Sequence, residues 1–198
     1  MCGILAVFGI TGDERKNRKI MVEMLKKLRH RSPDWESVTS NGAGTFLCHG
    51  RLAIVGGLET GDQPFFNKDR SVSWIVNGEI YNHRDLEKMH DLDLENRSDC
   101  EVVGPLYEKY GTDFVNMLDG MFAFVVNDET TGKVFAARDA MGKCPMYIGY
   151  GFDGSVWFAS EMKCFAKSPL IERYEIFPPG YQYTGGPGGK GFERWYNP

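Results

Sequence analysis

At 198 residues, 42% apolar and 25% charged, the chain can form one sizeable domain, and a chain of this size buries roughly 70% of its unfolded surface. A formal net charge of −4, with both signs interspersed, argues against nucleic-acid binding, which calls for a basic patch. No apolar run approaches the roughly 20 residues that span a bilayer, so neither nucleic acid nor membrane is expected as a partner.

Met1–Ile10 (MCGILAVFGI) is apolar but lacks a basic flank and is short for a complete signal peptide. Gly3–Phe8 reads instead as a strand covered on both faces. Thr11 followed by Glu14 fits a capping box. Ile20, Met21, Met24, Leu25 and Leu28 recur at helical spacing, predicting an amphipathic helix over about residues 14 to 30 that Pro33 closes. Strand-like runs follow at Thr45–Cys48, Leu52–Val55 and Val72–Val76. Short helices are predicted at His83–Met89 and Cys100–Tyr110, with a further helical turn after Gly111.

Met121–Val126 (MFAFVV) is another run without a polar face. Asn127–Lys133 reads as a hairpin connection into Val134–Ala137, and strands at Tyr147–Tyr150 and Val156–Ala159 flank a second turn at Asp153-Gly154. Tyr183–Gly191 (YTGGPGGKG) has no phosphate-binding signature and reads as a flexible surface turn. Strands outnumber helices, several strands have no polar face, and two helices have one apolar side. That combination predicts two stacked sheets covered by helices, in four layers.

Five cysteines (Cys2, Cys48, Cys100, Cys144, Cys164) form no CxxC pair, and their odd count argues against a disulfide framework or a zinc site. A reducing cytoplasm is the simplest setting. HExxH, GxSxG and P-loop motifs are all missing, and His30, His49, His83 and His90 are scattered.

Cys2 stands out by position. Once Met1 is removed, thiol and α-amine share one residue. An α-amine titrates at about 7.7–8.0, so it can serve as general base to the thiol near neutral pH. The alternative is a small apolar residue opening a buried strand. Asn77-Gly78 reads either as a tight turn or as an oxyanion hole built from the Asn77 amide and the Gly78 N–H. Arg51 suits a carboxylate and Asp99 a substrate ammonium, though either also reads as a surface charge or a helix cap.

Taken in order, the fragments MCGI, RHRSPD from Arg29, HGRLAIV from His49, NGEIYNH from Asn77, SDCEVV from Ser98, LDGMFAFV from Leu118, ARDAMGKCPMY from Ala137 and FASEMK from Phe158 are spread along the chain from Met1 to Lys163. In this order they resemble the N-terminal glutaminase domain, a class II glutamine amidotransferase, of glutamine-hydrolysing asparagine synthetases. The resemblance implies an α+β fold, the four-layer α-β-β-α sandwich of the N-terminal nucleophile hydrolases, as a single domain over residues 1–198. It implies hydrolysis of L-glutamine to glutamate and ammonia through a thioester on Cys2, with Asn77 and Gly78 holding the oxyanion. By the same resemblance Arg51 takes the α-carboxylate, Asp99 the α-ammonium, and Glu79 with the backbone around Ile54 and Val55 completes the pocket.

No cofactor is expected for this step. ATP and magnesium belong to a C-terminal synthetase domain, whose SGGxDS loop the sequence lacks, so the chain is expected to be part of a longer protein. That domain and glutamine are the expected partners, and a homodimer is left open. Ser32 stands where the family commonly has glycine, near Arg31, and Cys144 stands where a basic residue is commoner. Two other readings remain: a non-catalytic glutamine-sensing domain, and a glutaminase serving another acceptor.

Overall fold

A computed structural model describes residues 2–52, 61–96 and 98–197. In chain order the elements are β1 (Gly3–Phe8), α1 (Glu14–Lys26), β2 (Trp35–Ser40), β3 (Phe46–Arg51), β4 (Phe65–Phe66), β5 (Val72–Ile80), α2 (His83–His90), α3 (Val103–Tyr110), β6 (Gly120–Asp128), β7 (Lys133–Arg138), β8 (Tyr147–Gly151), β9 (Val156–Ala159), β10 (Ile171–Ile176), β11 (Tyr181–Gly185) and β12 (Gly191–Arg194). Short 3₁₀ helices occupy Asp99–Val102, Gly111–Met117 and Met162–Cys164. Contacts divide the chain into two compact units, Met1–Leu52 with Pro145–Phe177, and Ala53–Cys144 with Pro178–Pro198.

The first unit carries an antiparallel sheet in the order β10-β8-β9-β1-β3-β2. On one face Leu5 and Val7 of β1, Phe46 and Cys48 of β3, and Trp157 and Ala159 of β9 pack against Met21, Met24, Leu25 and Leu28. Each large apolar side chain so buried contributes roughly 1.5–3 kcal/mol. Ile4 and Ala6, which point to the other face, are fully buried as well, which is why Gly3–Phe8 has no polar alternation.

Helix α1 begins differently from the expected capping box. Asp13 is its N-cap and accepts from the Lys16 N–H at 2.9 Å, while the Thr11 N–H and hydroxyl both donate to Asp153. The helix ends at Lys26, and turns bonded from Leu28 N–H to Leu25 O and from Arg31 N–H to Leu28 O carry the chain onward. Strands β2 and β10, at the two edges of the sheet, had no counterpart in the sequence reading. Their side chains are mostly exposed or half-buried, and WESVTS and IERYEI carry charge where an apolar run would signal a strand.

The second unit carries an antiparallel sheet in the order β12-β11-β7-β6-β5-β4. Strands β5 and β6 pair over nine residues each, from Val72↔Asp128 to Ile80↔Gly120. Val72, Trp74 and Val76 of β5 join Phe122, Phe124 and Val126 of β6 and Phe135 of β7 on one face, under Leu86 of α2, Val103 and Leu106 of α3, and Phe114. Asn77-Gly78 is therefore no turn: pairing with β6 runs straight through it and overrides the local preference of the dipeptide. Tyr183–Gly191 is likewise only in part a turn, since Tyr183 and Thr184 of β11 pair with both β7 and β12, and Gly185 pairs with β7. The strand expected at Leu52–Val55 does not include Leu52, and residues 53–55 lie outside the described residues.

Candidate active site

The residues singled out fall in both units. In the first, Cys2 lies one residue before β1, and β1 starts by pairing Gly3 with Gly50 of β3. That pairing brings the end of β3 alongside the thiol: the Leu52 N–H donates to Cys2 Sγ at 3.4 Å, and Sγ reaches the Leu52 carbonyl at 3.7 Å. A backbone N–H aimed at the sulfur favours the thiolate, the form that reacts. Arg51, the last residue of β3, is 4% exposed and so is not the solvated surface charge of the alternative reading.

Cys2 is also the partly exposed thiol of the five. Burial pushes the Cys164 thiol up to about 12, and that of Cys48 further still, so both are held as inert neutral thiols.

Arg31 has no role in the sequence reading, yet its Nε donates to the Cys2 carbonyl at 3.0 Å and its Nη1 to Glu161 at 3.2 Å. Glu161 also pairs with His30 at 2.8 Å and with Lys163 at 3.0 Å. Partial burial works to raise the Glu161 carboxyl, but the hydrogen bonds from Lys163 and His30 outweigh it and hold the group below its ordinary range. Ser32, next to Arg31, ties its hydroxyl to the Leu28 carbonyl at 3.1 Å and is 2% exposed. The serine pins the turn that carries Arg31. It also makes glycine obligatory at position 50, where a Cβ would meet Ser32 Oγ at 2.3 Å. Nothing local marks Arg31, because its contacts join residues 29 and 130 positions apart.

In the second unit Asn77, Gly78 and Glu79 are consecutive on β5, with Ala123, Phe122 and Met121 as their β6 partners. A Cβ at Gly78 would lie 2.2 Å from Met121 O and 2.7 Å from Phe122 Cα, so the strand pair itself demands glycine. Phe122 exchanges its backbone bonds with Asp139, its N–H going to the carboxylate and its carbonyl accepting from the Asp139 N–H. By antiparallel alternation the Gly78 N–H then points away from β6.

The same edge of β5 carries the N–H groups of Val76 and Ile80. Gln63 Oε1 takes the first at 2.6 Å, and Asp99 Oδ2 takes the second at 2.8 Å. Between them the Gly78 N–H has no acceptor among the described residues. Cys100 Sγ donates to the Gly78 carbonyl at 3.6 Å, and the Trp74 indole N–H donates to the Cys100 carbonyl, so the Asp99–Val102 turn is seated on β5. Asp99 is 6% exposed there, with Ser98 rather than Asp99 as the cap.

Asn77 is fully buried on the face of β5 opposite the Trp74 cluster, and both its Oδ1 and its Nδ2 lack a partner among the described residues. A buried amide left unsatisfied costs about 1–3 kcal/mol, a cost that packing alone would not retain. Ile54 and Val55 lie outside the described residues. A groove of ≈ 880 Å³ in this unit, lined by Phe66, Arg70, Leu92 and Glu101 among others, includes none of the residues singled out. Among the described residues no cluster of three His, Cys, Asp or Glu side chains could hold a metal ion. Nor is any described helix long and apolar enough to cross a membrane.

Residues 1–175 match the family model of the glutamine amidotransferase domain, and the chain belongs to that family. It is homologous to the N-terminal third of asparagine synthetases. Over its whole length it is 49% identical to the glutamine-hydrolysing enzyme of Zea mays and 51% identical to one from Oryza sativa subsp. japonica. The chain spans 33% of the length of each of these relatives.

The solved glutamine phosphoribosylpyrophosphate (PRPP) amidotransferase from B. subtilis, complexed with ADP and GMP, matches 98% of this chain and 49% of its own, with a TM-score of 0.78 at 22% identity. At that identity the likeness concerns the fold, and it bears out the α+β class.

Proposed function

We propose that this chain hydrolyses L-glutamine to L-glutamate and ammonia, with Cys2 as the nucleophile. The observation that carries the reading is the Asn77 side chain, a fully buried amide whose two polar atoms have no partner among the described residues. A donor kept unsatisfied in a dry position suits charge that develops only during reaction. Family membership names the amide on which that charge develops.

In this reading the α-amine freed by loss of Met1 takes the thiol proton, and Cys2 Sγ attacks the side-chain carbonyl carbon of glutamine. Asn77 Nδ2 and the Gly78 N–H stabilise the oxyanion. The amine returns the proton to the departing nitrogen, ammonia leaves, and water then opens the thioester to give glutamate. Arg51 binds the α-carboxylate and Asp99 the α-ammonium, with Glu79, Ile54 and Val55 in the pocket.

The step needs no cofactor of its own. Residues 1–198 are read as a single glutamine amidotransferase domain, in the cytoplasm. Its ammonia serves ATP- and magnesium-dependent asparagine formation in a synthetase domain of the parent chain; the names of the relatives support the link between glutamine hydrolysis and asparagine synthesis.

The test is mass analysis after exposure to a glutamine-mimicking diazo-ketone. The expected result is a single adduct on a Met-free Cys2, blocked by excess glutamine, with buried Cys48, Cys100, Cys144 and Cys164 untouched. A folded, Met-free protein that takes no label at Cys2 overturns the assignment in favour of glutamine sensing without turnover.

A further inference from the structure

We propose that Ser160 and Glu161 are positioning residues for the nucleophile, holding Cys2 in place from the end of β9; the proposal rests on the reading of Cys2 as the reacting residue. Cys2 lies one residue before β1, so its position is set by what grips the first residues of that strand.

The β1 ladder shows where that grip is needed. Against β3 it begins at Gly3↔Gly50, but against β9 it begins only at Leu5↔Ala159. Gly3 and Ile4 thus run past the last paired residue of β9. There Ser160 takes over from both sides of Ile4. Its N–H donates to the Ile4 carbonyl at 2.9 Å, and its hydroxyl oxygen accepts from the Ile4 N–H at 2.9 Å. Ser160 is fully buried, so neither contact competes with water.

Glu161, the next residue, acts through Arg31. Its Oε1 accepts from Arg31 Nη1, and Arg31 Nε donates to the Cys2 carbonyl. The Arg31 side chain is 12% exposed, and its Nη2 is buried without a partner among the described residues. Glu161 therefore supplies the carboxylate that fixes an almost buried guanidinium, and a buried cation without its counter-charge reorients or draws in water. Either response releases the Cys2 carbonyl. Two adjacent residues thus fix the nucleophile twice, through Ile4 and through Arg31, and neither touches the reacting atoms.

The test compares wild type with Glu161→Ala, Glu161→Gln, Ser160→Ala and Lys163→Ala in two assays: the rate of Cys2 alkylation by iodoacetamide, and kcat and KM for glutamine. Glu161→Ala should slow alkylation and kcat together by roughly tenfold or more, with KM within about twofold, because misplacing a reacting group by an ångström is that costly. Glu161→Gln, which keeps an oxygen for Arg31, should recover most of the loss, and Lys163→Ala should stay within about twofold of wild type.

Wild-type alkylation and turnover in folded Glu161→Ala, or a loss confined to KM, overturns the proposal. If that variant folds poorly, Ser160→Ala decides: it should slow both rates, and wild-type rates there overturn the proposal. A wild-type protein without glutaminase activity whose Cys2 alkylation still drops in the variants keeps the positioning role and removes the proposed function. Active wild type with indifferent variants does the reverse.

Discussion

Replacing Asn77 by alanine should separate function from stability in an unusual direction. The side chain is fully buried, and both its polar atoms lack partners among the described residues, so deleting the amide relieves a desolvation cost of about 1–3 kcal/mol. The cavity left behind, some ~40 Å³ at ~24 cal/mol per Å³, costs about 1 kcal/mol. The balance runs from neutral to about 2 kcal/mol in favour of the variant, whereas a satisfied buried residue would lose stability on truncation. Turnover should move the other way. Losing one oxyanion donor lowers kcat by about 10²–10³, or about 2.7–4 kcal/mol of transition-state stabilisation, with little change in KM. Urea unfolding followed by the fluorescence of buried Trp74 and Trp157, set beside steady-state glutaminase kinetics, measures both. A variant destabilised by more than about 1 kcal/mol whose folded fraction keeps wild-type kcat would show that the amide packs the interior and does not serve the oxyanion.

Two further outcomes follow from particular contacts. Gly78→Ala should cost at least 1–3 kcal/mol or so in urea unfolding, since its Cβ would press on the backbone of Met121 and Phe122, where no side chain can yield; an unchanged midpoint would show that β5 and β6 are not paired in this register. The Glu161 carboxyl is held below its ordinary value of 4.5, so its contribution is present above that pH and fades as the pH falls through the lower folded value. The stability gap between wild type and Glu161→Gln should therefore be up to about 1 kcal/mol at neutral pH and close at acid pH, and a gap independent of pH would refute the ionic role.

Strands legible from composition were those buried on both faces. Gly3–Phe8 and Val156–Ala159 have the bounds read from the sequence, because a continuous apolar run needs no partner to be recognised. The edge strands β2 and β10 escaped for the converse reason: with one neighbour each and exposed side chains, they carry the composition of loops. The start of α1 shows a finer competition. Thr11 had the right spacing for a cap, but Asp153 on a distant turn claims its hydroxyl and N–H, leaving Asp13 to cap the helix.

For the site, the sequence by itself determined which chemistry is available: a cysteine at position 2, an Asn-Gly pair, a cation and an anion suited to a free amino acid, all in a family order. These are properties of residue type and spacing, and they survive without coordinates. Only the tertiary structure decided which atoms are committed and which are left over. Register across β5 and β6 turns the Gly78 N–H outward, between two neighbours that Gln63 and Asp99 already occupy. The partners of the first residues, Ser160 for Ile4 and Arg31 for Cys2, come from 156 and 29 positions away. Local sequence encodes how each segment alternates between core and solvent. Hydrogen-bond ownership depends on the register between segments far apart in the chain, and no single segment carries that information.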